Sequence, residues 1–174
     1  MTKIYTKTGD KGETGTFRGR MGKGDQLATA IGSVDEVNSW IGVCREDSRF
    51  KIQDSILDKE LKKIQNNLFI IGSILAGSKR YKFNRYETTK LEKLIDKLEA
   101  KLPKINNFVY PIGHLQVARS VARRAEREVV ALKDSGFKIQ DSILGYLNRL
   151  SDALFVMARW VNLKTDVKEE IWKQ

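Results

Sequence analysis

The stretch ILGYLNRLSDALFVMARWV, residues 143–161, sets the architecture. Its apolar positions Ile143, Leu147, Leu150, Leu154, Met157 and Val161 step by 4, 3, 4, 3 and 4. Such spacing puts all six on one stripe of a helix, and a stripe of that width has to be covered by other elements. The same steps recur upstream in Leu57, Leu61, Ile64, Leu68, Ile71 and Leu75. Ala30, Val34, Val37, Ile41 and Cys44 form a third stripe, Leu91, Leu94 and Leu98 a shorter one, and Leu115, Ala118, Ala122, Ala125 and Val129 a fifth. The pattern predicts helices over about 32–47, 54–77, 86–101, 113–134 and 141–163. Spacing near 3.5 residues favours shallow packing angles, and short connections favour antiparallel neighbours. The expected fold is all-α, an up-down bundle of five helices.

Outside these stripes the chain changes character. Residues 1–25 hold Gly9, Gly12, Gly15, Gly19, Gly22 and Gly24 among threonines and lysines, which reads as an irregular or short extended arm. The expected layout is one domain over 1–174: an arm at 1–25, a bundle at 26–164 and a tail at 165–174. An identical octamer, FKIQDSIL, occurs at 50–57 and 137–144, each time before a predicted helix. Asp54 and Asp141 are placed to cap those helices, as Ser33 with Glu36 is placed to form a capping box.

Composition excludes several functions. A single cysteine, Cys44, rules out a disulfide framework or a multi-cysteine zinc site. A single histidine, His114, rules out di-histidine metal motifs. No apolar run approaches the roughly 18 residues of a membrane span, and the first residues do not read as a signal peptide. A cytoplasmic protein with no membrane partner is expected. The net charge of +10 implies attraction to anions without saying which.

Two segments could hold an anion. Thr6, Lys7, Thr8, Gly9, Asp10, Lys11, Gly12, Glu13, Thr14 and Gly15 combine glycines, whose amides can approach a ligand closely, with hydroxyl and ammonium donors. That composition suits a polyphosphate, although it is not a Walker A loop. In the fourth predicted helix, Arg119, Arg123 and Arg127 recur every four residues, with Arg124 beside them and Glu126 and Glu128 between. Like charges at this spacing oppose one another. The stripe borders the apolar seam, where guanidinium groups require fixed carboxylates or a ligand. Asn148 and Asp152 share a face of the last helix, where Asp152 could hold an arginine in place. Asp35 is a carboxylate that the capping box leaves uncommitted.

These segments, in this order, resemble the PduO-type ATP:cob(I)alamin adenosyltransferases. The resemblance rests on YTKTGDKGET from Tyr5, GSVDEVNSWIG at 32–42, QNNLFIIGSILA at 65–76, FVYP at 108–111, ARSVARRAER at 118–127 and YLNRLSD at 146–152. It implies a homotrimer with active sites between subunits, ATP and cobalamin as substrates, and magnesium. It further implies that Thr6 to Gly15 and Lys23 wrap the triphosphate, with Arg123, Arg124, Glu126, Arg127 and Asn148 as further nucleotide contacts. Asp35 is implied to pair with Arg119 across the interface, and Phe108 to fill the lower face of the corrin. The chain departs from the family pattern after Pro111, where Pro111-Ile-Gly-His114 runs almost directly into Leu115. The family's charged turn before the first helix is here Leu27-Ala-Thr-Ala-Ile-Gly32.

Three functions follow from this reading. The first is transfer of the 5′-deoxyadenosyl group from ATP to the cobalt of reduced cobalamin, which needs two ligands positioned and a leaving polyphosphate stabilised. The alternative is an ATP-binding regulatory module on the same scaffold, without corrinoid chemistry. The third, a basic nucleic-acid binder, needs basic or aromatic residues gathered on one exposed face, and no such pattern is seen. No nucleic-acid partner is expected.

Overall fold

The computed structural model describes residues 3–47 and 55–173. Among them the chain forms a β-hairpin, β1 (Glu13–Thr16) and β2 (Gly19–Gly22), followed by five helices. These are α1 (Gln26–Glu46), α2 (Ser55–Leu75), α3 (Tyr86–Glu99), α4 (His114–Asp134) and α5 (Asp141–Lys164). No helix of the described residues is long and apolar enough to cross a membrane.

Cross-links between helices give their directions. The end of α1 meets the start of α2, with Arg45 Nε donating to Asp58 Oδ1 at 2.8 Å. Further back along α1, the carbonyl of Asn38 accepts from Gln65 at 3.0 Å. The start of α1 meets the end of α4 through Gln26 and Glu128, and Asp47 meets His114 at the opposite end. Lys133 with Asp141, and Glu126 with Asn148, set α4 antiparallel to α5. Helix α3 runs parallel to α5, with Glu92 beside Arg149 and Ser142 donating to the carbonyl of Phe83. The helices thus alternate up and down along the chain, as the short connections predict, and α3 lies beside another odd-numbered helix.

The stripes are the core. Ile143, Leu147, Leu150, Leu154 and Met157 are fully buried, as are Leu61, Ile71, Val37 and Ile41. Tyr146 is also fully buried, edge-on to Phe83 with ring centroids 5.0 Å apart. Its hydroxyl is bonded to Asn67, which in turn donates to Glu87.

Several helix boundaries differ from expectation. Helix α1 begins at Gln26, so Ser33 lies inside it and caps nothing. Leu27 extends the stripe by one turn and is buried, which offsets the cost of about 1 kcal/mol for Gly32 within a helix. Glu36, freed from the capping box, pairs with Arg124 of α4. The supposed turn Leu27–Gly32 is therefore helical. Asp141 is not a cap either: it is the first residue of α5, makes no capping bond, and pairs with Lys133 at 3.1 Å. Asp54 and most of the first octamer copy lie outside the described residues.

Candidate functional site

The arm is an organised loop. Between Lys7 and Gly12 the chain turns back on itself, with Lys7 at φ 58° and Gly12 at φ 80°. Two cations of the following segment hold its carbonyls. Lys23 Nζ donates to the carbonyl of Gly9 at 3.0 Å, and Arg20 reaches the carbonyl of Thr8 while pairing with Glu13 at 2.8 Å. With the carbonyls engaged, the amides of Thr8, Gly9 and Lys11 have no acceptor among the described residues. Thr6 and Thr8 share a hydroxyl hydrogen bond of 2.8 Å beside them. Amides without acceptors, hydroxyls and an ammonium gathered at one small loop are groups of the kind that can bind an anion.

The hairpin fixes this loop to the bundle. The amide of Phe17, in the hairpin turn, donates to the carbonyl of Ala76 at the end of α2 at 3.0 Å. Between the hairpin, α1 and α2 lies a cavity of about 540 Å³, within the usual range for ligand sites. Thr14, Gly15, Lys23 and Asp35 contribute to its wall, with the apolar Phe17, Ile31 and Phe69. Asn38 also lines it, 5% exposed, and its Oδ1 accepts no hydrogen bond among the described residues.

The arginine row of α4 divides between two surroundings. Arg124 pairs with Glu36 on α1. Arg119 and Arg123 instead line a cleft of about 660 Å³ between α3, α4 and α5. Neither has a carboxylate partner among the described residues. Burial first, and then the nearby Arg123 cation, lower Arg119 from the ordinary arginine value. The group stays protonated, since arginine does not lose its proton in proteins, and the shift marks a cation lacking its counter-charge. Arg127 is exposed and also has no carboxylate partner among the described residues.

Arg149, which the sequence reading passed over, stands in the same cleft. It is held by Glu92 and by Asp152 at 2.5 Å, so Asp152 does hold an arginine in place. The available signal was its place in YLNRLSD, directly after Asn148. Asn148 donates to Glu126 at 2.8 Å and faces an adjoining cleft that shares Glu92 and Arg149 with this one.

Phe108 lies apart from both cavities. It is 76% exposed, on the segment between α3 and α4, with its ring centroid 6.2 Å from that of Trp172.

The site residues of one chain therefore form two half-sites with no shared wall residue. One is lined by Thr14, Gly15, Lys23 and the carboxylate Asp35, and the other by Arg119 and Arg123, with no ion-pair partner for Asp35, Arg119 or Arg123 among the described residues. The family profile for cobalamin adenosyltransferase matches residues 4–161. The chain belongs to the cobalamin adenosyltransferase family. It is 40% identical over 173 residues to a corrinoid adenosyltransferase of Bacillus subtilis, covering 95% of this chain and 89% of that one. It is 41% identical over 185 residues to the human corrinoid adenosyltransferase MMAB, covering 98% of this chain and 73% of that one. Two solved structures superpose along nearly the whole chain, both variants of a PduO-type adenosyltransferase from Lactobacillus reuteri. One, in complex with ATP, matches with a TM-score of 0.88 and 35% identity, covering 98% of this chain and 100% of that one. The other, in complex with cobalamin and ATP, matches at 0.87 and 34%, covering 99% and 100%.

Proposed function

We propose that the active site of this adenosyltransferase is assembled from two copies of the chain, in a homotrimer, with the arm half of one facing the arginine half of the next. The carrying observation is the complementarity of the two half-sites. Asp35 has no ion-pair partner in its own chain among the described residues, and Arg119 has no carboxylate partner. A cyclic assembly places different surface patches of identical subunits against each other, so each face can supply what the other lacks.

The protein transfers the 5′-deoxyadenosyl group of ATP to reduced cobalamin. The cobalt(I) electron pair attacks C5′ of ATP, the cobalt–carbon bond forms, and the C5′–O bond breaks. Triphosphate leaves with the electron pair of the broken C5′–O bond, and no proton need move. The protein's task is to hold C5′ in line with cobalt and to stabilise charge on the departing triphosphate. The Thr8, Gly9 and Lys11 amides, with Lys23, would take one side of the triphosphate. Arg123 and Arg127 of the neighbouring copy would take the other. Arg119 would engage Asp35 and close the floor between copies. Arg124, Glu126 and Asn148, already bonded within the chain, would frame the nucleotide.

Magnesium, when bound, neutralises phosphate charge. It is usually held by phosphate oxygens and one or two carboxylates, and Asp10, unlike Glu13, has no ion-pair partner among the described residues. Phe108 is set out in solvent as an apolar surface. Against the lower face of a corrin it would displace the axial base and leave cobalt easier to reduce.

The test is to mix the protein with ATP, magnesium and chemically reduced cobalamin and follow the corrin spectrum. Formation of adenosylcobalamin and triphosphate in equal amounts is expected. ATP binding without any spectral change would overturn the reading in favour of a regulatory module.

A further inference from the structure

The tail after α5 is tied down at both ends. At its start Asp166 takes φ 53°, and the amide of Val167 returns to the carbonyl of Asn162 at 2.9 Å. This left-handed turn closes the helix and sends the chain back along it. Glu169 then lies beside Arg159, ten residues upstream. Arg159 is 4% exposed and grips both oxygens of Glu169, at 2.8 and 2.9 Å, while also donating to the carbonyl of Pro103 at 2.7 Å. One buried guanidinium thus joins α5, the tail and the start of the segment that carries Phe108.

Beyond Glu169 the tail runs antiparallel to that segment, with Val109 opposite Ile171. The amide of Tyr110 donates to the carbonyl of Glu170 at 2.9 Å, and that of Trp172 to the carbonyl of Phe108 at 2.8 Å. The Trp172 ring packs against Phe108. A two-stranded contact this short is not stable on its own in water. Phe108, mostly in solvent, has too little buried surface to fix its own position. The order of this segment has to come from the anchored tail.

We propose that Arg159 and Glu169 are a positioning pair for the adenosyl transfer, latching the tail so that it holds Phe108 in place. The proposal rests on the reading of Phe108 as the residue facing the corrin. Neither Arg159 nor Glu169 touches a substrate in this account. They act through residues 170–172. A bidentate fork matters here because a single point contact would leave the tail free to pivot. Removing the carboxylate leaves a buried guanidinium with, among the described residues, only the Pro103 carbonyl as partner.

The test uses the full-length enzyme with Glu169→Ala, Glu169→Asp and Trp172→Ala. Glu169→Ala is expected to raise the KM for cobalamin or lower kcat at least tenfold, with ATP affinity within twofold of wild type. Glu169→Asp should recover part of the loss. Trp172→Ala, which leaves the ion pair intact, should shift the same parameters in the same direction. In both alanine variants less of the bound cob(II)alamin should lose its lower axial base, as read by the nitrogen splitting in its electron paramagnetic resonance spectrum. Unchanged cobalamin kinetics and spectra in both would overturn the proposal. So would an equal loss of ATP and cobalamin binding, which marks general damage to the fold. Hydrogen exchange at the Tyr110 and Trp172 amides, without ligands, should quicken in Glu169→Ala, and unchanged exchange rules out the latch. If the wild type forms no adenosylcobalamin, the functional reading fails, and the exchange experiment still decides the latch.

Discussion

Asp35 and Arg119 of the same chain open into different cavities, and neither makes an ion pair among the described residues, although Lys23 lines the first cavity and Glu92, Asp96, Glu99 and Asp152 line the second. If they meet between copies, two inactive variants should rescue each other. Asp35→Asn and Arg119→Ala are each expected to lose at least tenfold in activity alone. A mixed cyclic trimer of the two contains one interface with both native residues. Random mixing of equal amounts should then restore about a quarter of wild-type activity, one site in three in three-quarters of the trimers. Co-expression with differently tagged subunits, followed by assay of the mixed fraction, measures this. No recovery in verified mixed trimers would place the pair within one chain or outside the mechanism.

Arg123 shares the cleft with Arg119 and has no carboxylate partner among the described residues, so its charge is available to a ligand. Arg123→Ala should lower kcat/KM for ATP at least tenfold, about 1.4 kcal/mol. Arg123→Lys keeps the charge and loses the planar fork, so an intermediate value is expected. Steady-state kinetics at fixed magnesium and ionic strength give both numbers. Equal values for wild type and Arg123→Ala would remove this arginine from the site.

The core was legible because burial demands periodicity. The residues of the 4-3 stripe from Ile143 to Met157 are all fully buried. The start of α1 was not legible, because Gly32 and the cap-like Ser33 signal a boundary that the burial of Leu27 overrides. The composition of the arm suited an anion but did not give its shape, because the part played by Arg20 and Lys23 in turning its carbonyls away depends on the hairpin register. The division of the arginine row was hidden for a similar reason. Arg123 and Arg124 are neighbours in sequence, and only the packing of α4 between α1 and α5 sends one to the cleft and the other to Glu36.

Two carboxyl groups tie stability to acid. The hydrogen bond from Arg45 holds Asp58 below the ordinary carboxylate value, against the opposing effect of burial. At Glu87 burial raises the value but is outweighed by hydrogen bonds from Lys90 and Asn67 and by the Lys90 and Lys63 charges, so the net shift is downward. A carboxyl lowered in the folded state binds protons less readily than in the unfolded chain. Its stabilisation is present above the unfolded value, about pH 4, and is lost as pH falls through the folded value. Thermal unfolding at constant ionic strength should show Tm dropping less steeply below about pH 4 in Asp58→Asn/Glu87→Gln than in wild type. Parallel curves for the two proteins would refute this assignment.

Gly77 couples the end of α2 to the arm. It sits at φ 97°, and the amide of the following Ser78 returns to the carbonyl of Ser73 at 2.9 Å, closing the helix. An alanine there pays the left-handed penalty of about 1–2 kcal/mol. Its Cβ would also lie 2.5 Å from Cγ of Arg18, in the hairpin turn. The clashing Cγ is the near part of the Arg18 side chain and not its free end, so relieving the clash displaces the hairpin turn, whose Phe17 amide is bonded to Ala76 next door. The hairpin carries the arm loop, so Gly77→Ala should weaken ATP binding more than it lowers Tm. The added variant Arg18→Ala removes the clash but not the backbone strain. ATP affinity should then recover while the loss in Tm persists. Calorimetric titration with ATP alongside thermal unfolding separates the two effects, and ATP affinity that tracks Tm in both variants would show that only the helix end is damaged.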